Sequence, residues 1–572
     1  MKRINQLLGL IAVLALVWGC GGAGLSDLGS GAQGRAVISI TWPDLGRIIP
    51  DGADRIDVTV TSVAVNTGNG LPVYDNTIQV NRPTPGTPAT ENVTFNNLPV
   101  GRYRATAEAF STADAGANPV AVAGVVADFD ITSGNTTNFE IELLSTIDSV
   151  EIVGGGVAVA AGDTRTLTFN ARNSGGSLVM VRDTSVRWRS LSPNIQFVES
   201  GALVGSTTTG LTATALMLDP TAGGDIEVSL KPDRESTEHF ETTTTLTVTS
   251  NSFGVLGAPS ASLGTQTLSG SPVNRALDLI TAAGGGFSGA VAMYPDSSST
   301  VYVAAARADV NGAPPPDFLY TNRSLGLLAT PDTTPDDLRT AFSLAFRGDG
   351  DAYVVDQDKD ISGGGVVNAA SLIKRFNEAS GNFTSVATSA AFEGPIALIE
   401  VSGTEELYGV HQPTGEVRQF NTTNLNTSST WDASTLLSGY TANTVWMAIA
   451  NDRMAYFGGQ ATSGSTSSVV AGDLSGSSPL AAVSFLVQPT VSGEITGIAA
   501  TDDFLFTLSF VNSVHTLTAF RRSTGVRVAE LILPAQFVPY RIAANDGLSV
   551  QVFGADVSGG SYDFRVRSTT LN

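Results

Sequence analysis

The chain has 572 residues and carries 31 Lys and Arg against 53 Asp and Glu, a formal net charge of −22. An acidic balance of this size with no basic patch excludes nucleic acid as a partner, because a phosphate backbone is bound through clustered cations. One cysteine in the whole chain excludes an intrachain disulfide framework, and 61 glycines among short alternating runs point to an all-β architecture rather than long helices.

The first twenty residues read MKRINQLLGLIAVLALVWGC. Lys2 and Arg3 precede an apolar run from Leu7 to Trp18 that is shorter than the ~20 residues needed to span a bilayer core. The order Val17-Trp18-Gly19-Cys20 resembles the lipobox of bacterial lipoprotein signal peptides. That resemblance implies export, with Cys20 becoming the lipidated (palmitate-bearing) N-terminus. The family's sorting behaviour, with Gly21 and Gly22 after the cysteine rather than Asp, implies the outer membrane or cell surface. Residues 21–34 are small and polar without periodicity and are expected to form a flexible tether.

From 35 to 145 the strands alternate apolar and polar, as in AVISITW (36–42) and DRIDVTVTSVAV (54–65). The stretch VTFNNLPVGRYRATAEAF (93–110) is expected to be a hairpin turning at Asn96–Gly101, with Phe95 and Tyr103 on one inner face. Its Phe95-x-x-Leu98-Pro99-x-Gly101-x-Tyr103 pattern resembles that of transthyretin-like and carboxypeptidase-regulatory-like sandwiches, which implies a β-sandwich used as a spacer or stalk. Residues 146–252 give a second sandwich. Gly162-Asp163-Thr164, Leu167-x-Phe169-x-Ala171, Val186-x-Trp188-x-Ser190 and Gly201-Ala202-Leu203-Val204 together resemble the bacterial immunoglobulin-like group 2 module. That likeness implies that Trp188 is a buried core residue and that the module serves display rather than catalysis.

The remainder, 253–572, contains an internal repeat, in which an apolar strand, a polar turn and an aromatic-bearing strand recur. Anchoring the copies on Val291, Leu344, Ile399, Ile449, Ile498 and Ile542 gives spacings of 53, 55, 50, 49 and 44. Four strands per ~50 residues is one propeller blade, so six copies predict a six-bladed β-propeller. A seventh, degenerate blade over 253–285 is the alternative. The sixth copy ends without a fourth strand, and either ALDLITA (276–282) or the preceding TQTL is expected to supply it, because an unpaired edge is otherwise exposed.

Residues able to carry chemistry are few. His239, His411 and His515 show no metal-ligand spacing, and no G-x-S-x-G elbow in helical context occurs. The acidic run Asp349 to Asp360 fails as a calcium loop, with Ile361 and Val367 where Gly and a bidentate Glu are required, and instead resembles the blade turn of NHL-like and lactonase-like propellers. Glu393-Gly394-Pro395 resembles the E-G-P of gluconolactonase-like enzymes, where that Glu binds a divalent metal in the channel. At the equivalent position in the next copy stands Asn443, so Glu393 and Asn443 are the metal candidates, and the family's Asp ligand has no counterpart.

The expectation is therefore a monomeric surface lipoprotein without cofactor, held on the membrane by its N-terminal lipid. Its propeller is a binding platform on Ig-like spacers for an envelope protein or a glycan. The alternatives are a metal-dependent lactonase-like hydrolase working in the channel and a purely structural envelope protein.

Overall fold

The computed structural model describes residues 33–42, 54–64, 74–81, 89–110, 123–140, 144–179, 181, 183–230, 240–260, 262, 264–267, 287–293, 301–307, 318–322, 341–347, 351–356, 372–377, 382–384, 391–442, 444–545, 548–558 and 561–572. Cys20, residues 21–32 of the expected tether, His239, residues 276–282, Asp349, Asp358, Asp360 and Asn443 lie outside them, whereas Gln33 and Gly34, expected to end the tether, already pair with Pro99 and Leu98 in the first strand. The chain is all-β, and among the described residues no helix is long and apolar enough to cross a membrane.

The first sandwich is made by alternation. Ala36, Ile38 and Ile40 from one strand, and Ile56, Val58 and Val60 from another, are all buried, as a period of two demands of strands with one wet face. One sheet runs in the order Ala89–Pro99, Gln33–Trp42, Thr136–Glu140. The facing sheet runs Asp75–Asn81, Arg55–Ala64, Gly101–Phe110, Ala123–Ile131, Leu144–Ser145. Phe129 and Phe139 meet across the gap with ring centroids 4.8 Å apart.

The expected hairpin over 93–110 is not one. Ala89–Pro99 pairs with Gln33–Trp42, whereas Gly101–Phe110 pairs in the opposite sheet, so the turn is a corner between sheets. Phe95, Leu98 and Tyr103 all enter the core from the two sides of that corner, and the Tyr103 hydroxyl donates to the Pro99 carbonyl at 2.7 Å, closing it. Burial pushes the Tyr103 pKa up to about 12, so the hydroxyl stays a donor.

The second sandwich sets Ala158–Ala160, Phe240–Thr249, Gly224–Leu230, Val186–Ser190 and Thr207–Thr209 against a sheet centred on Thr164–Asn173 and Thr212–Met217. Trp188 is fully buried between them, and its indole Nε1 donates to the Gly210 carbonyl at 2.7 Å. The large apolar ring is thus accommodated without leaving its one polar atom unpaired.

Six blade sheets follow, beside a two-stranded pairing of Thr466–Ser468 with Thr490–Ser492, and their innermost strands are Phe287–Met293, Ala341–Phe346, Ile396–Val401, Trp446–Ile449, Glu494–Ala500 and Phe537–Ala544. Every repeat anchor lies on one of them. Successive inner strands are neighbours around the ring, and that of blade six returns to that of blade one, which makes a closed six-bladed propeller. Of the two candidates for the closing strand, the TQTL stretch is the one used: Gly264–Thr267 pairs antiparallel with Ser561–Thr570 as the outermost strand of blade six.

The seventh-blade alternative is corrected by the same segment. Gly254, Gly257 and Ser260 donate backbone hydrogen bonds to Thr570, Ser568 and Val566 at 2.8, 2.7 and 2.9 Å. The described part of 253–285 is therefore spent as a strap along the edge of blade six, which an edge strand requires more than the ring requires another blade.

Candidate functional site: the propeller channel

Glu393 opens blade three on a corner that only glycine allows. Gly394 sits at φ +150°, and a Cβ there would fall 1.9 Å from the Val410 carbonyl oxygen. The corner is clasped onto the end of the blade's second strand: Gln412 N–H donates to the Glu393 carbonyl at 2.8 Å, and Glu393 N–H donates to His411 Nδ1 at 3.2 Å. An imidazole that accepts at Nδ1 carries its proton on Nε2 when neutral. His411 is buried beside the Phe392 ring, and burial, reinforced by the Arg418 charge, holds its pKa below the ordinary 6.5 against the opposing pull of Glu416 and Glu393. His411 is thus a neutral member of the corner. Asn443 lies outside the described residues, and among those described no three His, Cys, Asp or Glu side chains converge as a metal group.

Of the acidic run, Asp351 makes a structural tie. Asp351 is buried and receives Arg375 Nε and Nη2 at 2.9 and 2.6 Å, while its carbonyl accepts from Arg347 N–H at 2.9 Å. It ties the first turn of blade two to its third strand. Arg347 in turn reaches Glu405 of blade three at 2.6 Å. His515 lies on Val514–Arg521 in blade five, 4.6 Å from the Phe510 ring centroid to centroid.

Between blades four and five a cavity of ≈ 300 Å³ is lined by Asp452, Tyr456, Phe485, Asp503 and Arg522, among others. Arg522 donates to Asp452 at 2.6 Å and to the Tyr456 hydroxyl at 3.2 Å, so its charge is already neutralised within the seam.

Sequence reasoning missed the residues that meet across the channel itself. Phe342 of blade two and Trp446 of blade four stack with centroids 5.1 Å apart, and both are buried. Arg541 of blade six lays its guanidinium carbon 3.8 Å from the Trp446 ring centroid and 5.4 Å from that of Phe342. Three alternate blades thus contribute one side chain each to a single cluster. Two of the three stand at strand irregularities: the ladder slips between Ala341 and Ser343, and again between Pro539 and Arg541. Such bulges re-aim side chains. A signal was present in the repeat: the residue just before each anchor is Ala290, Ser343, Leu398, Ala448 and Gly497 in the first five copies and Arg541 in the sixth.

The fold and channel define this chain as an all-β protein with two sandwiches and a six-bladed β-propeller. No family model matches it, and no curated protein does either. Among solved structures it is similar to hydrazine synthase of Kuenenia stuttgartiensis, at 13% identity and TM-score 0.31, covering 47% of this chain and 76% of that one. It is also similar to an auxiliary nutrient binding protein from Bacteroides thetaiotaomicron, at 11% identity and TM-score 0.31 over 74% of this chain and 98% of that one. A gluconolactonase from Xanthomonas campestris overlaps at 11% identity and TM-score 0.31, over 55% of this chain and 98% of that one.

Proposed function

We propose that the chain is an exported lipoprotein, anchored through Cys20, in which two sandwiches hold the propeller off the membrane as a binding platform for an envelope protein or a glycan. The observation that carries this reading is the mounting of the propeller. Phe240–Thr249 ends the second sandwich, and the strap that follows at once becomes the closing edge of blade six, with Ser252 and Asn572 exchanging backbone hydrogen bonds of 3.2 and 2.9 Å. A propeller closed by its own linker is displayed in a fixed attitude, which suits presentation of a surface. The N-terminal motif supports the anchor, and the resemblance of both sandwiches to spacer modules supports the stalk.

The test uses the full chain and its Cys20→Ser variant in a lipoprotein-processing bacterium. Palmitate labelling and membrane fractionation should retain the first and release the second. Protease treatment of intact cells should reach the propeller, and the lipidated chain should capture an envelope protein or glycan. Turnover of lactones by the purified chain with added divalent metal, abolished by Glu393→Gln, would replace this reading with that of a channel hydrolase.

A further inference from the structure

Resting on the platform reading, the channel cluster specifies a ligand chemistry. Arg541 is partly buried, its Nη1 donates to its neighbour's carbonyl (Tyr540 O, 2.8 Å), and its Nε is shut off from water with no hydrogen-bond acceptor. No carboxylate pairs with it among the described residues, in contrast with Arg347, Arg375, Arg453, Arg521 and Arg522, each of which has an acidic partner. The rings of Phe342 and Trp446 lie over it, offsetting a cation's lost hydration in part but accepting no N–H bond in the guanidinium plane.

A partly buried cation without an acidic partner is costly, and the other arginines with an unpartnered buried Nε, Arg55 and Arg567, each keep one in Asp57 and Asp556. With one face of the guanidinium on Trp446, Nη1 engaged and Nε closed to water, Nη2 is the donor left to meet a ligand. A carboxylate oxygen is the acceptor with which a guanidinium N–H makes its strong, charge-assisted bond. Neither Phe342 nor Trp446 carries a second stacked cation among the described residues, so the site suits a monoanion rather than a phosphate dianion.

We infer that the propeller channel contains a carboxylate-binding site centred on Arg541, walled by Trp446 and Phe342, for a small organic acid or the acid group of an acidic sugar. Burial lowers the Arg541 pKa to about 9, which still leaves the group charged at neutral pH.

The test titrates the purified full chain with acetate and with D-galacturonate at constant ionic strength, using D-galactose and chloride as controls. Trp446 reports by fluorescence and calorimetry reads binding directly. The expected result is a saturable change with both carboxylates and none with the controls. Arg541→Met should weaken binding at least about tenfold, the loss of one charge-assisted pair, and Arg541→Lys should weaken it less. Trp446→Phe should remove most of the fluorescence change while calorimetric binding persists. A flat wild-type titration overturns the site whatever the variants do, and so does an equal response to chloride or unchanged binding in a folded Arg541→Met chain. A flat titration by a chain that still captures its envelope partner sinks this inference alone. Carboxylate binding by a chain that captures no partner leaves the site standing and sinks the platform.

Discussion

Arg521, at the end of the third strand of blade five, donates from Nε to Asp163 of the second sandwich at 2.6 Å. Beside it Thr524 donates from its hydroxyl to the Gly162 carbonyl at 2.9 Å, and Ala161 is buried among blade-five and blade-six residues such as Phe504 and Phe537. Gly162 stands at φ +78°, and a Cβ there would lie 2.6 Å from Arg521 Cβ. The contact is thus built from close backbone approach first and charge second. The Asp163 side chain is 37% exposed, so Arg521→Ala should cost no more than about 1 kcal/mol. Gly162→Val should cost about 2–3 kcal/mol and splay the two bodies apart, since it meets both a forbidden φ and a clash. Urea unfolding gives the energies and small-angle scattering the splay. Unchanged scattering from a folded Gly162→Val chain would show that the contact does not set the attitude of the propeller.

The closing strap can be tested at one atom. Ser260 is buried, donates N–H to Val566 O at 2.9 Å and accepts from Val566 N–H on its hydroxyl at 3.0 Å. Ser260→Pro removes the donor and the hydroxyl together, leaving both backbone groups of Val566 without these partners. The expected loss is about 2–4 kcal/mol, with amide exchange accelerated first along Ser561–Thr570. Hydrogen exchange resolved by peptide mass checks this. Faster exchange appearing only in another blade would mean that the strap does not close the ring.

The repeat was legible because each anchor is an apolar residue on an inner strand, where inter-blade packing tolerates little else. The corner at Pro99–Gly101 was not. Two amphipathic strands joined by a tight turn carry the same alternation whether they pair with each other or face each other from opposite sheets. The choice is made by Gln33–Trp42, which takes the edge of Ala89–Pro99. The Arg541 cluster was hidden for a related reason. Arg541 is the one charge on its strand, FVPYRIAA, but nothing in that stretch says what it meets, and only ring closure brings it over Trp446 and Phe342. Glu393 was singled out by resemblance, and what became visible is the clasp beneath it, His411 and Gly394.

That clasp carries a prediction of its own. Gly394→Ala places a methyl 1.9 Å from the Val410 carbonyl, which must then move along with the Gln412–Glu393 hydrogen bond. A destabilisation of about 3 kcal/mol or more is expected, against less than about 1 kcal/mol for Glu393→Gln, whose backbone contacts are unaltered. Thermal unfolding of the two variants side by side reads the contrast. Equal losses would put the weight on the carboxylate rather than on the corner.

Among the groups that shape the acid limb of stability, two act in separate windows. Burial holds the His411 pKa below 6.5, so the folded chain prefers the neutral ring while the unfolded chain takes up the proton first. Its stabilising share is complete above pH ~6.5 and is lost as pH falls towards the lowered folded value. Glu406 is held below its ordinary 4.5 chiefly by Arg453, which donates from Nε and Nη2 at 2.8 and 2.5 Å, with the Tyr408 hydroxyl adding a bond of 2.6 Å. A depressed carboxylate stabilises above its unfolded pKa, and this share disappears as pH falls from ~4.5 through the folded value. His411→Gln, which keeps an acceptor for Glu393 N–H, should flatten the upper window and leave the lower. Glu406→Gln should shrink the lower window without removing it, since Glu416, Asp219, Asp432 and Asp473 are also held below their ordinary values, and should cost about 1 kcal/mol at neutral pH, discounted for the partial exposure of Arg453. Urea midpoints measured from pH 7.5 to 3.5 separate the two. An upper window that survives His411→Gln would assign it to a group other than the histidine of the corner.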